Sequence, residues 1–374
     1  MDLAIETLKE LIACPSVTPR EAGAFAVVQN AAPDFAAERI DINGVSNLLL
    51  TRNGGFDAPR LCFAGHIDVV PSGEGWFSDP FAPTEKDGRV FGRGAQDMKA
   101  GVAAFVAACA KTPYKGRLSI LLTSDEEGDA IWGTKAVLER LKERGDLPDF
   151  AIVAEPTSEE VFGDTIKIGR RGSINGTLTI AGKSGHVAYP EKLDNPIDKI
   201  ARVLPLLSGA RLDAGDEFFA PSRLIFSDVR GGYEKTNLTP SAVKLMFNVR
   251  NRPQTDEKAI KVFIENALKK ASIGEYEIAL KTSALAFIAR DERLIGALSN
   301  AIAAQTGATP KLSTGGGTSD ARFFAAHNVP VAEFGVRNDL IHAPNESVSI
   351  AEVKSLTLVF CDLITRIGAI DRAA

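Results

Sequence analysis

The chain has 374 residues, too many for one ordinary core and suited to two domains. With 45% hydrophobic and 24% charged residues it reads as globular, and a formal net charge of −5 argues against a dominant basic surface for nucleic acid. Asp2, Glu6 and Glu10 interrupt the first apolar positions and no apolar run is long enough to cross a bilayer. The expectation is a cytoplasmic protein with neither a membrane nor a nucleic-acid partner.

Residues 2–12 have the apolar spacing of an amphipathic helix. Asn47–Thr51 and Leu61–Ala64 read as strands, the second running into Gly65-His66. The Ala-rich stretch Met98–Ala110 predicts a buried helix, followed by a strand Leu118–Thr123, a helix Thr134–Lys142 and a short strand Phe150–Ala154. Alternating strands and helices predict an α/β sheet covered on both faces. After Arg171 the texture changes. Ser173–Ala181 alternates as a half-buried strand does, a helix is expected over Pro196–Leu207, and strands over Leu224–Val229 and Val243–Val249. A helix Asp256–Lys270 and a strand Tyr276–Leu280 complete a compact α+β pattern, and from Phe287 the first texture resumes. The expected organisation is therefore a discontinuous first domain, 1–171 with 287–374, and an inserted second domain, 172–286. Cys14, Cys62, Cys109 and Cys361 form no CxxC pair and lie in apolar stretches, which predicts buried, reduced thiols.

Polar residues with metal-binding chemistry follow the predicted strands. His66 and Asp68, two apart, would point the same way in an extended segment. They read either as a polar pair at a strand end or as a carboxylate–histidine–metal arrangement. Asp97 reads as a helix N-cap or as a carboxylate between cations. Asp125-Glu126-Glu127 reads as a solvated acidic turn or as a ligand cluster whose mutual repulsion a cation relieves. Glu155 repeats the theme. Two histidines and several carboxylates at strand ends are jointly a donor set for a dinuclear zinc or cobalt hydrolase.

GHIDVVPSG at 65–73, GRGAQDMKAG at 92–101, TSDEEG at 123–128, AEP at 154–156 and IHAPNE at 341–346 together resemble, in order, the motifs of the M20 family of metallopeptidases and deacylases. The resemblance spans essentially the whole chain. It implies a zinc-peptidase-like α/β catalytic domain, a mixed sheet flanked by helices, interrupted by an α+β lid that also dimerises. It further implies two Zn2+ per subunit, with Co2+ as a substitute. His66 and Glu155 would hold one ion, Glu127 and His342 the other, and Asp97 would bridge both across a cis bond to Met98. Asp68 would orient His66, and Glu126 would be the general base. The runs GRRGSINGTLTIAGKSGHVAYP at 169–190, TNLTP at 236–240 and GGGTSDARF at 315–323 resemble the branch that hydrolyses N-succinyl-LL-2,6-diaminopimelate to succinate and LL-2,6-diaminopimelate, through a hydroxide bridging two zinc ions, in lysine and diaminopimelate biosynthesis. TNLTP departs from the TNVIP of that branch. By the same resemblance His186 would reach into the partner subunit's site of a homodimer and stabilise the oxyanion, with Asn237 contacting substrate from that side. Arg170, Ser173, Tyr189, Arg250 and Thr318 would hold the substrate's carboxylates and amine, and Gly317 would let the backbone approach it closely. The rival readings are an acetylornithine deacetylase or dipeptidase of the same family, and a silent binding protein. The last would lack a ligand or the base, and none is missing. His327 receives no role and reads as a surface histidine.

Overall fold

The computed structural model describes residues 2–55 and 57–370. The chain clusters into two compact units. The first comprises Met1–Gly169, Ile288–Ser313 and Ser319–Ala374; the second comprises Arg170–Phe287 and Thr314–Thr318.

The first unit is built on an eight-stranded sheet. Its strand order is Ala36–Ile42, Val45–Asn53, Arg117–Thr123, Leu61–His66, Phe150–Val153, Val331–Glu333, Thr165–Lys167 and Lys311–Ser313. The strands Arg117–Thr123, Leu61–His66, Phe150–Val153 and Val331–Glu333 run parallel, while the two leading strands pair antiparallel, so the sheet is mixed as expected. Central strands are buried along their length, Arg117 at the start of one excepted, which is why they read as unbroken apolar runs. Ala36–Ile42 was invisible in the sequence because it is an edge strand whose charged residues face solvent.

Helices pack against the sheet and each other. Leu3–Ile12 starts where the Asp2 carboxylate accepts the Ala4 N–H at 3.2 Å, and it buries Ala4, Ile5, Leu8, Leu11 and Ile12 on one face. It packs on Ala100–Lys111, which in turn packs on Ile350–Ile367. Ala100–Cys109 is buried on every side, as its all-apolar composition requires. The sequence placed the start of this helix at Met98. The structure begins regular α-helix at Ala100, because Asp97 (φ −114°, ψ 98°) and Met98 are not helical. Cys62 and Cys109 are buried as expected, but Cys14 and Cys361 are only half-buried because each lies on a helix end or flank that meets solvent; all four are free thiols.

The second unit is a four-stranded antiparallel sheet, ordered Arg223–Gly231, Ala242–Asn251, Gly172–Ala181 and Tyr276–Ala284, with helices Pro196–Leu207 and Glu257–Lys270. Ile174, Leu178, Ile180, Val243, Leu245, Phe247 and Val249 alternate inward from two strands onto Ile200, Val203, Ile260, Ile264 and Leu268 of the helices. Gly176 is required beneath Phe247, since a Cβ there would sit 2.2 Å from the ring. Truncating Leu245 to alanine would cost about 2–5 kcal/mol. Both helices are capped by side chains: Asn195 accepts the Ile197 N–H at 3.1 Å and Asp256 the Ala259 N–H at 2.8 Å. Thr314–Thr318, which the sequence reading kept with the first domain, clusters with this unit. Thr314 Oγ1 donates to the Phe218 carbonyl at 2.5 Å, and Arg170 Nη1 donates to the Gly315 carbonyl at 3.3 Å.

Candidate active site

Parallel pairing sets the candidate site at one end of the first unit's sheet. His66 lies opposite Thr123, and Ala64 opposite Val153. Glu155, two residues past Val153, is thereby level with His66, and Asp125-Glu126-Glu127 follows directly beyond Thr123. This is the carboxyl end of the strands, where open α/β sheets bind ligands. In the helix Ala100–Lys111, Gly101 lets the backbone approach this edge: a Cβ there would lie 2.1 Å from the Ala154 carbonyl oxygen.

His66 is 1% exposed. Its Nδ1 lies 2.9 Å from the carbonyl oxygen of Asp68, which can only accept, so Nδ1 carries the proton and Nε2 is aimed at the acids. Nε2 is 3.2 Å from Asp97 Oδ1 and 3.6 Å from Glu155 Oε1. His342 answers from the other side, with Nε2 at 2.8 Å from Glu127 Oε1 and 3.4 Å from Asp97 Oδ2. Asp97 therefore turns one oxygen to each histidine. Ligand-type atoms of His66, Asp97 and Glu127, and of His66, Glu126 and Glu155, lie within 4.8 Å of one another. Asp97 and Met98 are joined by a cis peptide bond.

Asp68 makes a different contact from the one the sequence suggested. Past the strand end at His66, the Asp68 backbone carbonyl faces the ring while the nearest carboxylate oxygen stands 3.6 Å away. That carboxylate, fully buried, instead accepts the N–H groups of Glu126 and Glu127 at 3.4 and 3.1 Å. It thus shapes the acidic turn. Asp125 is also structural here: its Oδ2 accepts the N–H of Ile131 and Trp132 at 3.0 and 3.2 Å.

The electrostatics follow from crowding acids in a buried place. Burial pushes the Glu126 and Glu155 carboxyls well above the usual range, with neighbouring carboxylates adding to the effect. Burial likewise raises Asp68 to about 6, against the pull of His66 and the backbone N–H groups. Burial would raise Asp97 too, but the hydrogen bonds of His342 and His66 overcome it and hold this carboxyl well below the usual range. His342 is raised to about 10 by its bonds to Asp97 and Glu127. Such a cluster calls for positive charge, and its nitrogen and oxygen donors suit divalent zinc.

In the second unit, the strand pairing sets Ser173 opposite Arg250. Asn248 Nδ2 donates to Ser173 Oγ at 3.0 Å. The segments bearing His186 and Asn237 are joined by the Val187 N–H donating to the Asn237 carbonyl at 3.2 Å. His186 Nδ1 accepts the Ala188 N–H at 3.1 Å, and its ring centre stands 6.0 Å from that of the exposed Tyr189. A Cβ added at Gly317 would meet nothing within 4 Å, so this glycine and Thr318 sit in an open loop. His327 is half-buried and lines a cavity of about 330 Å³ with Arg60, Phe150 and Arg293, at the amino ends of the strands and so away from the acids.

Several residues had no assigned role in the sequence reading. Arg93 and Glu346 form a buried ion pair at 2.7 Å beside Asp97. Lys99 is fully buried and donates to the carbonyls of Leu11 and Cys14 at 2.8 and 3.0 Å, with burial lowering its pKa to about 8. All three lie inside or beside the motifs already singled out, yet only their burial marks them.

Residues 62–366 match the model of peptidase family M20/M25/M40. A curated relative from Nautilia profundicola is 52% identical over 362 residues, 96% of this chain and 98% of its own, and is named succinyl-diaminopimelate desuccinylase. One from Wolinella succinogenes has the same name, identity and coverage. Among solved structures, the aminopeptidase PepT of Bacillus cereus superposes with a TM-score of 0.80 at 22% identity, covering 98% of both chains. A dinuclear metal-binding M20 peptidase of Bacillus subtilis does so with a TM-score of 0.73 at 16% identity, covering 96% of both. The mixed sheet with its flanking helices is thus the fold of those enzymes, and the chain belongs to peptidase family M20/M25/M40.

Proposed function

We propose that this chain hydrolyses N-succinyl-LL-2,6-diaminopimelate to succinate and LL-2,6-diaminopimelate, a step of lysine and diaminopimelate biosynthesis, as a cytoplasmic homodimer. It is a metal-dependent amidohydrolase. The observation that carries the substrate is the 52% identity to relatives of that name over 96% of the chain, second unit included.

The donor set fits two zinc ions, with cobalt as a substitute. His66 and Glu155 would hold one, Glu127 and His342 the other, and Asp97, offering one oxygen to each histidine, would serve both. When bound, such ions supply Lewis acidity to the amide carbonyl and lower the pKa of water. The protein's own part is proton handling and positioning. Glu126 takes a proton from the attacking water and delivers it to the leaving amine. Asp68 holds the Glu126 and Glu127 backbone, and its carbonyl fixes the His66 tautomer. His186 of the partner subunit stabilises the oxyanion, with Asn237 on the same side. Arg170 and Arg250 suit substrate carboxylates through their forked donors, aided by Ser173, Tyr189, Gly317 and Thr318.

The test is a substrate panel on zinc-loaded protein. Succinyl-diaminopimelate should be cleaved far faster than N-acetylornithine, since a charged site rejects an analogue lacking the matching group by up to about 10⁴–10⁵-fold. Equal rates would overturn the substrate assignment.

A further inference from the structure

Glu346 accepts four hydrogen bonds through its side chain near the candidate metal centre, and it is not among the proposed ligands. It is fully buried. Its Oε1 accepts the N–H groups of Gln96 and Asp97 at 2.8 and 3.1 Å, and its Oε2 accepts Arg93 Nη1 and the Gly94 N–H at 2.7 and 2.9 Å. Its own carbonyl accepts the Gly92 N–H at 3.0 Å. All four side-chain partners are N–H donors, so only a carboxylate satisfies them together. They also belong to one short segment, 93–97, that cannot hold itself. Gly94 has φ 81° and Asp97 ψ 98°, so the backbone here is not helical and its N–H groups need acceptors from outside.

Arg93 extends the same link. It is 2% exposed. Nη2 donates to the carbonyls of Ser72 at 2.9 Å and His342 at 3.3 Å, while Nη1 reaches that of Ala343 at 3.4 Å. The pair thereby ties together three segments: the one after His66 and Asp68, the one carrying Asp97, and the one carrying His342. A second clasp runs alongside, where Gln96 Nε2 donates to Asp339 Oδ1 at 2.6 Å and Gln96 Oε1 accepts the Leu340 N–H at 2.8 Å. Burying an ion pair is a weak route to stability, because the desolvation of both charges offsets their attraction. Its geometry here does something a packed apolar pair would not: it bonds the segment carrying Asp97 to the one carrying His342.

We propose that Glu346, with Arg93, is a positioning residue that holds Asp97 and His342 at the separation a shared dication needs. This rests on the reading of Asp97 and His342 as metal ligands. A purely structural role would lower stability and leave the metal affinity of the folded protein unchanged. A positioning role lowers that affinity in molecules that are fully folded.

The experiment titrates zinc into metal-stripped protein by competition with a chromophoric chelator, and repeats it with cobalt while recording the visible spectrum. Glu346→Gln keeps the size but turns one oxygen into an amide nitrogen facing N–H donors. Asp146→Asn, which breaks the pair with Arg117 at the amino end of the strand Arg117–Thr123, the end away from the acids, is the control for a lost ion pair. Wild type and control should bind two ions. Glu346→Gln, matched to wild type in circular dichroism, should lose about 10–100-fold in affinity, the range for outer-shell partners of metal ligands, with an altered cobalt spectrum. Arg93→Lys keeps one cationic donor for Glu346 and loses the links to Ser72 and His342. It should show a smaller loss of the same kind, and it carries the test if Glu346→Gln does not fold. Wild-type affinity in folded Glu346→Gln, or in Arg93→Lys, would overturn the proposal while leaving the ligand reading intact. Fewer than two ions on the wild type would overturn the ligand reading and this proposal with it.

Discussion

Replacing Gly101 by alanine sets two effects against each other. Gly101 lies in the helix Ala100–Lys111, where alanine is favoured over glycine by about 1 kcal/mol. Packing opposes this. The new methyl would sit 2.1 Å from the carbonyl oxygen of Ala154 and 2.8 Å from its Cβ, against the ordinary 3.4–4 Å. The helix and the strand end must separate by roughly 1 Å or more to reach a normal contact distance. Overpacking of this kind costs about 1–3 kcal/mol, and the obstacle is main chain rather than a side chain that could swing away, so the upper part of that range applies. The net expectation is a loss of about 1–2 kcal/mol. Gly296 is the internal reference. It lies in the helix Glu292–Thr306 with nothing within 4 Å of an added Cβ, so Gly296→Ala should stabilise by about 0.5–1 kcal/mol. Both tryptophans, Trp76 and Trp132, belong to the first unit, and urea unfolding followed by their fluorescence reads its midpoint directly. Gly101→Ala should also impair hydrolysis, since the displaced strand end carries Glu155. If Gly101→Ala raised the midpoint as Gly296→Ala does, with full activity, the claim that close approach dictates this glycine would be wrong.

Glu126→Gln should abolish turnover while metal analysis still finds both ions, because the proposed ligand is Glu127; loss of an ion from Glu126→Gln and retention of both by Glu127→Gln would reverse the two roles. Co-expression of Glu126→Gln with His186→Ala should restore about a quarter of all sites, because half of randomly paired dimers are mixed and one site in each is whole by two-fold symmetry. No recovery, with mixed dimers demonstrated, would rule out a shared site. Asp164 accepts the N–H groups of Glu159, Glu160 and Val161 at 2.8–3.0 Å. Burial alone would raise its pKa, but these bonds overcome it and hold the carboxyl below its ordinary value. Its stabilisation is therefore present above pH 3.8 and is lost as pH falls through the lowered folded value. Asp164→Asn should cost about 1–2 kcal/mol at pH 7, the gap to wild type narrowing below about pH 4, as chemical unfolding at several pH values would show. A gap that is constant with pH would mean that the charge does no work there.

Much of this protein was legible from residue order. Leu61–Ala64, Leu118–Thr123 and Phe150–Ala154 were read as strands to within two residues, because strands buried on both faces must be unbroken apolar runs. Pro196–Leu207 was read at its observed bounds, since Asn195 and Pro196 mark a helix start chemically. The edge strand Ala36–Ile42 and the helix Ala24–Ala31 escaped, as short or solvent-facing segments carry weak periodicity. His66, Asp97, Glu127, Glu155 and His342 were singled out from motifs, and in the structure their donor atoms converge. No spacing rule links position 97 to 342.

The division has a physical basis. Local patterns determine which segments are strands or helices, because period and capping act over a few residues; they also determine which residue types stand just past the strand ends. Register and long-range polar contacts are decided only when the chain closes. The sequence shows an Asp two residues after a His, but only the tertiary structure reveals that the Asp68 carbonyl meets the ring and its carboxylate meets the turn at Glu126 and Glu127. Likewise Glu346 is one acidic residue among many until folding brings four N–H groups of segment 93–97 onto it, some 250 residues away in the chain. Hydrogen bonds act over about 3 Å, so no feature of the chain near position 346 could announce partners that only the fold supplies.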